Sequence, residues 1–234
     1  MKNKSEKNFI PVITIDGHSG SGKGTISHLL AKKLNWHFLD SGAIYRLLAL
    51  SALKNNINPD DQISLVKLAK NLNIKFKNNN GTEQIFLDEI DVTLSIRSEK
   101  CSEVSSLIAV LPAVRENLLT LQRDFRKAPG LIADGRDMGT IIFPDAILKI
   151  FLTATPEKRA ERRYKQLLEQ KIVADFKKIL TEILKRDARD ERRDTAPLKP
   201  ANNAVIIDTS NISIEKVLNK IIKVIKSKGI IKMI

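Results

Sequence analysis

Gly17, Gly20 and Gly22, followed at once by Lys23 and then by a hydroxyl at Thr25, form the grouping whose types and spacing best suit chemistry on an anion. Three glycines in six positions let the backbone turn back on itself so that successive N–H groups point inward, and the lysine adds a mobile charge. The spacing is that of GxxxxGK, with His18, Ser19, Gly20 and Ser21 between the two fixed glycines. The usual next residue is a Ser or Thr that ligates Mg²⁺. Here it is Gly24, and the hydroxyl comes one place later, so direct metal ligation does not follow from the spacing. A Gly/Ser-rich linker would need neither the β-branched run before this stretch nor the helical pattern after it.

Three further groupings could face a ligand. Asp40-Ser41-Gly42-Ala43-Ile44-Tyr45-Arg46 follows a short strand at 36–39, which sets Ser41 and Arg46 at the carboxyl end of a strand, where open α/β sheets bind ligands. Taken singly, Ser41 reads as a helix cap and Arg46 as a solvated charge. Gly135-Arg136-Asp137-Met138-Gly139 follows a strand at 131–134. Its flanking glycines suit close backbone approach to a ligand, with a structural Arg–Asp ion pair as the competing reading. Lastly, Arg159, Arg162, Arg163 and Gln166 share one helical face, as do Arg186, Arg189, Asp190 and Arg193. Like charges so spaced repel, so each stripe is expected to face water or an anion, and two of them favour a polyphosphate.

The elements that must position these groups follow from periodicity. A buried strand at 12–15 leads through the glycine loop into a helix carrying Ile26, Leu29, Leu30 and Leu34. A helix from Asp40 onward carries Leu47, Leu48 and Ala52, and another buries Leu65, Val66, Leu68, Ala69 and Leu72. Alternation from Ile74 to Val92, with a turn-rich 78–81, reads as a small antiparallel meander inserted in the α/β pattern. One helix is expected over 93–111, broken at Pro112, with Ser106 and Arg115 flanking the break; the next carries Val114, Leu118, Leu121 and Phe125. Strands at 131–134, 147–152 and 204–208 complete the sheet. Thr155-Pro156 starts a helix with Ala160, Tyr164, Leu167 and Leu168 as its apolar stripe. A helix at 175–193 answers it, and a last helix carries Ile214, Val217, Leu218, Ile221 and Ile225.

The 234 residues suffice for a sizeable core. A formal net charge of +13 invites a nucleic-acid or membrane partner, but the lysines are scattered while the arginines crowd into 159–193, as phosphate recognition would require. The lone Cys101 excludes an internal disulfide framework, suits a reducing compartment and reads as structural. No apolar run reaches the length of a membrane span, and residues 1–8, read as a frayed tail, lack the apolar region of a signal peptide, so a cytoplasmic protein is expected.

Four stretches, in this order and spacing, cover nearly the whole chain and resemble the nucleoside monophosphate kinase family, and within it the bacterial cytidylate kinases. They are residues 15–25, 39–46, 130–140 (Gly-Leu-Ile-Ala-Asp-Gly-Arg-Asp-Met-Gly-Thr) and 186–197. The Gly-Lys-Gly-Thr order at 22–25 is itself typical of these kinases, whereas His18 stands where proline is frequent. The resemblance implies a P-loop NTPase core, a parallel sheet flanked by helices, with a monophosphate-binding insert holding a small antiparallel sheet and with a helical lid. On this chain the core would be 9–40, 129–155 and 196–234, the monophosphate-binding region 41–128 with its insert at about 74–92, and the arginine-rich lid and following helix 156–195.

By the same resemblance the loop Gly17, His18, Ser19, Gly20, Ser21, Gly22, Lys23, Gly24 and Thr25 binds the ATP phosphates. Ser41, Ser106, Arg115 and Asp137 lie around the monophosphate nucleotide, the last three reading cytosine. Arg46, Arg136 and Arg193 hold its phosphate, Arg186 and Asp190 meet its sugar, and Arg162 and Arg189 are lid arginines that close on the transferring group. Lys23, Arg136, Arg162 and Arg189 would act in catalysis. Mg²⁺ would be held mainly by the ATP phosphates and water, near Thr25, without a direct protein ligand. The implied partners are ATP and CMP or dCMP, for a monomer with no stable nucleic-acid or membrane partner. The competing readings are a related P-loop kinase acting on UMP, AMP or shikimate, and a basic RNA-binding protein. The motifs at 40–46 and 135–139 argue against the first, and a scarcity of aromatic residues against the second. A P-loop switch protein would need an Asn-Lys-x-Asp run, which is absent.

Overall fold

The computed structural model describes residues 9–79 and 82–230; the expected tail at 1–8, the tip of the expected turn at 80–81 and residues 231–234 lie outside the described residues. Among them β1 (Val12–Gly17) is buried at all six positions, as a Val/Ile run covered on both faces must be. It pairs in parallel with β6 (Leu131–Gly135) on one side and β7 (Leu148–Thr153) on the other, and β7 pairs in parallel with β8 (Val205–Asp208). With β2 (His37–Asp40) next to β6, the five-stranded order is β2-β6-β1-β7-β8. The carboxyl ends of β1, β6, β7 and β8 therefore lie along one edge, so the glycine loop, Arg136-Asp137, Thr155 and Thr209 all begin there. Ile13, Ile15, Ile150 and Leu152 of the sheet pack with Leu30 of α1 (Lys23–Leu34) and with Val217, Ile221 and Ile225 of α8 (Ile214–Ser227) in one apolar cluster.

The described chain divides into two compact units, one of residues 9–39, 123–192 and 196–230, the other of residues 40–122 with 193–195. The first holds the sheet and the hairpin of α6 (Pro156–Glu169) and α7 (Phe176–Arg192). The second holds α2 (Ser41–Lys54), α3 (Gln62–Lys70), α4 (Glu99–Ile108) and α5 (Pro112–Arg123), together with the antiparallel sheet β3 (Ile74–Asn79), β4 (Thr82–Leu87) and β5 (Ile90–Asp91). Fully buried Leu47, Leu48, Leu65, Ile108 and Leu118 belong to its interior.

Several boundaries differ from the sequence reading for local reasons. The helix expected over 93–111 is a 3₁₀ turn, Ser95–Arg97, followed by α4. Ser98 is extended and its hydroxyl accepts from Cys101 N–H, which starts a new helix there. Pro112 opens α5, and the chain turns by 104° between α4 and α5. Trp36 does not belong to β2: Asn35 is left-handed at φ 53°, and the Trp36 N–H closes back onto Ala31 O at 3.0 Å. Phe125 lies past the end of α5, and Leu168 is exposed rather than part of a buried stripe. A π-helical turn, Met138–Ile142, follows β6 where no helix was expected; Ile142 N–H reaches Asp137 O and Phe143 N–H reaches Met138 O, each five residues back.

Candidate active site

The glycine loop spans the end of β1 and the start of α1, with Gly20 at φ 78° and Gly22 at φ 88°, conformations that disfavour any side chain. Gly17 is further constrained, since a Cβ there would lie 2.2 Å from Leu152 O. Each carbonyl from His18 to Ser21 is engaged by a side chain, three of them from outside the loop. His18 O accepts from Lys23 Nζ at 3.3 Å, Ser19 O from Arg159 Nη1 at 3.2 Å, Gly20 O from Arg162 Nη1 at 3.3 Å and Ser21 O from Thr209 Oγ1 at 2.9 Å. In a trans peptide C=O and N–H point opposite ways, so carbonyls turned outward direct the N–H groups of Ser19, Gly20 and Gly22 toward the concave side. Gly22 caps α1 without any side-chain bond, so the positive end of the helix adds to this anion cradle.

The arginine face expected of α6 is divided in the structure. Arg159, only 2 % exposed, does not face water or a ligand: its Nη1 and Nη2 meet Asp187 Oδ1 and Oδ2 at 2.9 and 2.5 Å, and its Nε donates to Ala154 O at 2.9 Å. It is a tie between the two helices of the hairpin, the end of β7 and the phosphate loop. Arg162 bonds Thr209 O and Oγ1 at 2.5 and 3.2 Å as well as Gly20 O, so it lies against the loop. Arg163 bonds Gln166 on the exposed side. On α7, Arg186 and Arg189 are half-buried, whereas Asp190 is buried and receives Arg136 Nε at 2.8 Å. Glu191 Oε1 accepts from the His18 ring at 2.8 Å, a further link between α7 and the loop. Asp137 is buried, and its carbonyl accepts from Ile141 N–H as the π turn begins.

The remaining site residues belong to the second unit. Ser41 is not the helix cap, since Asp40 Oδ1 takes that role by accepting Ala43 N–H at 2.9 Å. The Ser41 hydroxyl instead donates to buried Gln122 Oε1 at 2.8 Å. Arg46 is no solvated charge: its Nη2 pairs with Asp40 Oδ2 at 2.7 Å. Gly42 leaves that pair room, a Cβ there lying 3.1 Å from Asp40 Oδ1 and 3.2 Å from Arg46 Nη1. Ser106 is buried in α4. Arg115 is buried too, its Nη1 on Ala109 O at 3.1 Å and its guanidinium 5.8 Å from the Tyr45 ring centre. Arg193, buried, follows α7 in the chain. Cys101 packs against α2, its Sγ donating to Arg46 O, and burial raises its pKa, the behaviour of an inert structural thiol.

With this geometry established, the sequence model of the cytidylate kinase family matches residues 13–227. The chain belongs to the cytidylate kinase family. Cytidylate kinases of Aeromonas hydrophila and Aeromonas salmonicida are 53% and 52% identical to it over 208 residues, in each case 89% of this chain and 90% of theirs. That of Shewanella sediminis is 51% identical over 220 residues, 93% of this chain and 96% of its own. Membership brings ATP-dependent phosphoryl transfer with it. Among the described residues no single helix is long and apolar enough to cross a membrane.

Four further side chains hold or adjoin these groups and were not among the expected site residues. Gln122 supports Ser41, and Asp187 holds Arg159. Asp134 is the acidic residue near the end of the otherwise apolar strand β6, a pattern that could have flagged it, and its Oδ2 lies 3.3 Å from where a Cβ on Gly24 would stand. Asp16, directly before Gly17, accepts Met138 N–H and Gly139 N–H at 2.8 Å each. Burial drives its pKa from 3.8 up to about 7, aided by the nearby Asp137 charge and opposed by those two hydrogen bonds and by Lys23. Between these values the folded state keeps a proton that the unfolded chain has released, so stability falls as pH rises through that window. The full difference is about 4 kcal/mol. Urea unfolding of the wild type and of Asp16→Asn across pH 4 to 8 should therefore show the wild type losing ground to the variant as pH rises; parallel curves would contradict the raised pKa.

Proposed function

We propose that this chain phosphorylates CMP, and by the same chemistry dCMP, to the diphosphate with ATP as donor. The observation carrying the reading is the loop at 17–25, whose carbonyls from His18 to Ser21 are each engaged by a side chain, in a chain about half identical to cytidylate kinases over nearly its full length. Phosphoryl transfer passes through a loose transition state with charge on the equatorial oxygens, so positioning and electrostatics suffice without acid, base or covalent nucleophile. The loop N–H groups and Lys23 bind the ATP phosphates. Arg46, Arg136 and Arg193 hold the acceptor phosphate, Ser41, Ser106, Arg115 and Asp137 surround the nucleotide, and Arg186 and Asp190 meet its sugar. Arg162 and Arg189, on the lid at 156–195, turn to the transferring group when the lid closes and excludes water; for Arg162 this means exchanging the carbonyls of Gly20 and Thr209 for phosphate oxygens.

Among the described residues no cluster of three His, Cys, Asp or Glu side chains could hold a metal by itself. Mg²⁺ would be held mainly by the ATP phosphates and water, with the Thr25 hydroxyl and the Asp134 carboxylate, which adjoins Gly24, as the side chains that would stand near it. Mg²⁺ there would neutralise charge between β- and γ-phosphates. The protein would act as a cytoplasmic monomer without a stable nucleic-acid partner. The deciding assay follows ADP release from ATP and Mg²⁺ with CMP, dCMP, UMP, AMP or GMP offered separately. Strong turnover is expected with the cytidine nucleotides. Preference for another acceptor would remove the base-reading roles of Ser106, Arg115 and Asp137, and no turnover with any would overturn the kinase reading.

A further inference from the structure

The main-chain ladder between β1 and β6 ends where Asp16 faces Gly135. Beyond it the Asp16 side chain continues the connection, Oδ1 accepting the Met138 N–H and Oδ2 the Gly139 N–H, both at 2.8 Å. These are the first two residues of the π turn, and the residues between ladder and turn are Arg136 and Asp137. Gly139 lies so close to β1 that a Cβ there would stand 2.8 Å from Thr14 Oγ1, while Arg136 is held from its other side by Asp190. A carboxylate buried this deeply is a costly way to close a turn, and an apolar side chain would serve packing better. What only a carboxylate supplies is two acceptors at a fixed separation. An amide in its place offers one acceptor and points an NH₂ at a main-chain N–H.

We infer that Asp16 is a positioning residue for the acceptor side of the reaction: its two oxygens fix the main chain of Met138 and Gly139 and thereby the geometry of Arg136 and Asp137. The inference rests on the reading that Arg136 and Asp137 engage the monophosphate nucleotide. It assigns to the residue before the phosphate loop a role toward the other substrate, so the two substrates are placed by one rigid strand end.

The test compares steady-state kinetics of wild type, Asp16→Asn and Arg136→Ala with CMP and ATP varied separately. For Asp16→Asn, one orphaned main-chain N–H corresponds to a rise in KM for CMP of about tenfold or more and a fall in kcat, with KM for ATP within about threefold of wild type. An unchanged KM for CMP, or an equal rise in KM for ATP, would overturn the inference, the latter because a loosened strand end or fold affects both substrates alike. Arg136→Ala separates the two failures. If it raises KM for CMP while Asp16→Asn does not, only the positioning role falls; if it leaves KM for CMP unchanged, the acceptor reading of Arg136 falls and the inference with it. Should Asp16→Asn not fold, amide hydrogen exchange of the wild type decides. Met138 and Gly139 N–H should slow on adding CMP alone and not on adding a non-hydrolysable ATP analogue alone, and the reverse pattern, or no response, would overturn it.

Discussion

Lys23→Ala is expected to lower turnover of ATP and CMP by hundreds-fold or more while leaving the fold in place. Lys23 opens α1, and its ammonium is laid back over the loop by a 3.3 Å bond to His18 O. On the proposed reading its charge is therefore already held over the loop that binds the phosphates, before any substrate arrives. A preorganised donor of this kind removes about 3 to 4 kcal/mol from the barrier, because it acts in a water-excluded site without reorganising. At 1.36 kcal/mol per factor of ten, that is a loss on the order of 10² to 10³ in kcat. The bond to His18 O is long and of ordinary strength, so its loss by itself should move the unfolding midpoint little. Coupled measurement of kcat and of thermal unfolding checks both halves. Near wild-type turnover would remove Lys23 from the transfer site, and a collapse of stability would mean that the loss of activity says nothing about chemistry.

The largest effect on stability is expected at Asp187. Its two oxygens face Nη1 and Nη2 of Arg159, whose guanidinium also reaches Ala154 O and Ser19 O, all with Arg159 only 2 % exposed. Asp187→Ala leaves that guanidinium buried without its anion, a loss of about 3 to 5 kcal/mol. For a chain of this size the midpoint of thermal unfolding should fall by roughly 10 °C. Replacing both partners by apolar residues of matching shape should recover much of the loss, since the desolvation of both charges is then avoided. Because Arg159 also holds Ser19 O, the single variant should bind ATP more weakly even at temperatures where it is folded. Calorimetry on the single and double variants, with ATP affinity measured well below the transition, checks each expectation; a single variant as stable as the wild type would show that the pair does not hold the hairpin.

Much of the architecture was legible because it is written in short-range patterns. Glycines at 17, 20 and 22 announce backbone conformations that other residues avoid, and the Val/Ile run before them announces a strand buried on both faces. Thr155-Pro156 marks a helix start, and the Thr155 hydroxyl does cap α6 by accepting Lys158 N–H. The arginine stripe of α6 was correct as a helical face and incomplete as an environment, whereas the stripe of α7 loses Arg193, which lies past the end of the helix at Arg192. On α6 the stripe runs from the buried Arg159 through the loop-bound Arg162 to Arg163 on the exposed side, and nothing in the i, i+3, i+4 spacing distinguishes them. The single helix expected at 93–111 failed for a different reason. Ser98 can stand inside a helix or cap the next one, and the extended backbone it adopts selects the cap.

The sequence by itself determined the glycine loop between β1 and α1, most of the order of strands and helices along the chain, and the family, since local conformational preference, hydrophobic period and motif spacing are properties of neighbouring residues. Only the tertiary structure decided which charges face each other. Arg159 finds Asp187 across 28 positions, Arg136 finds Asp190 across 54, and the Asp16 carboxylate meets the Met138 N–H across 122. A buried charge has no local signature, because its low energy comes from a partner that the sheet order and the helical hairpin bring to it.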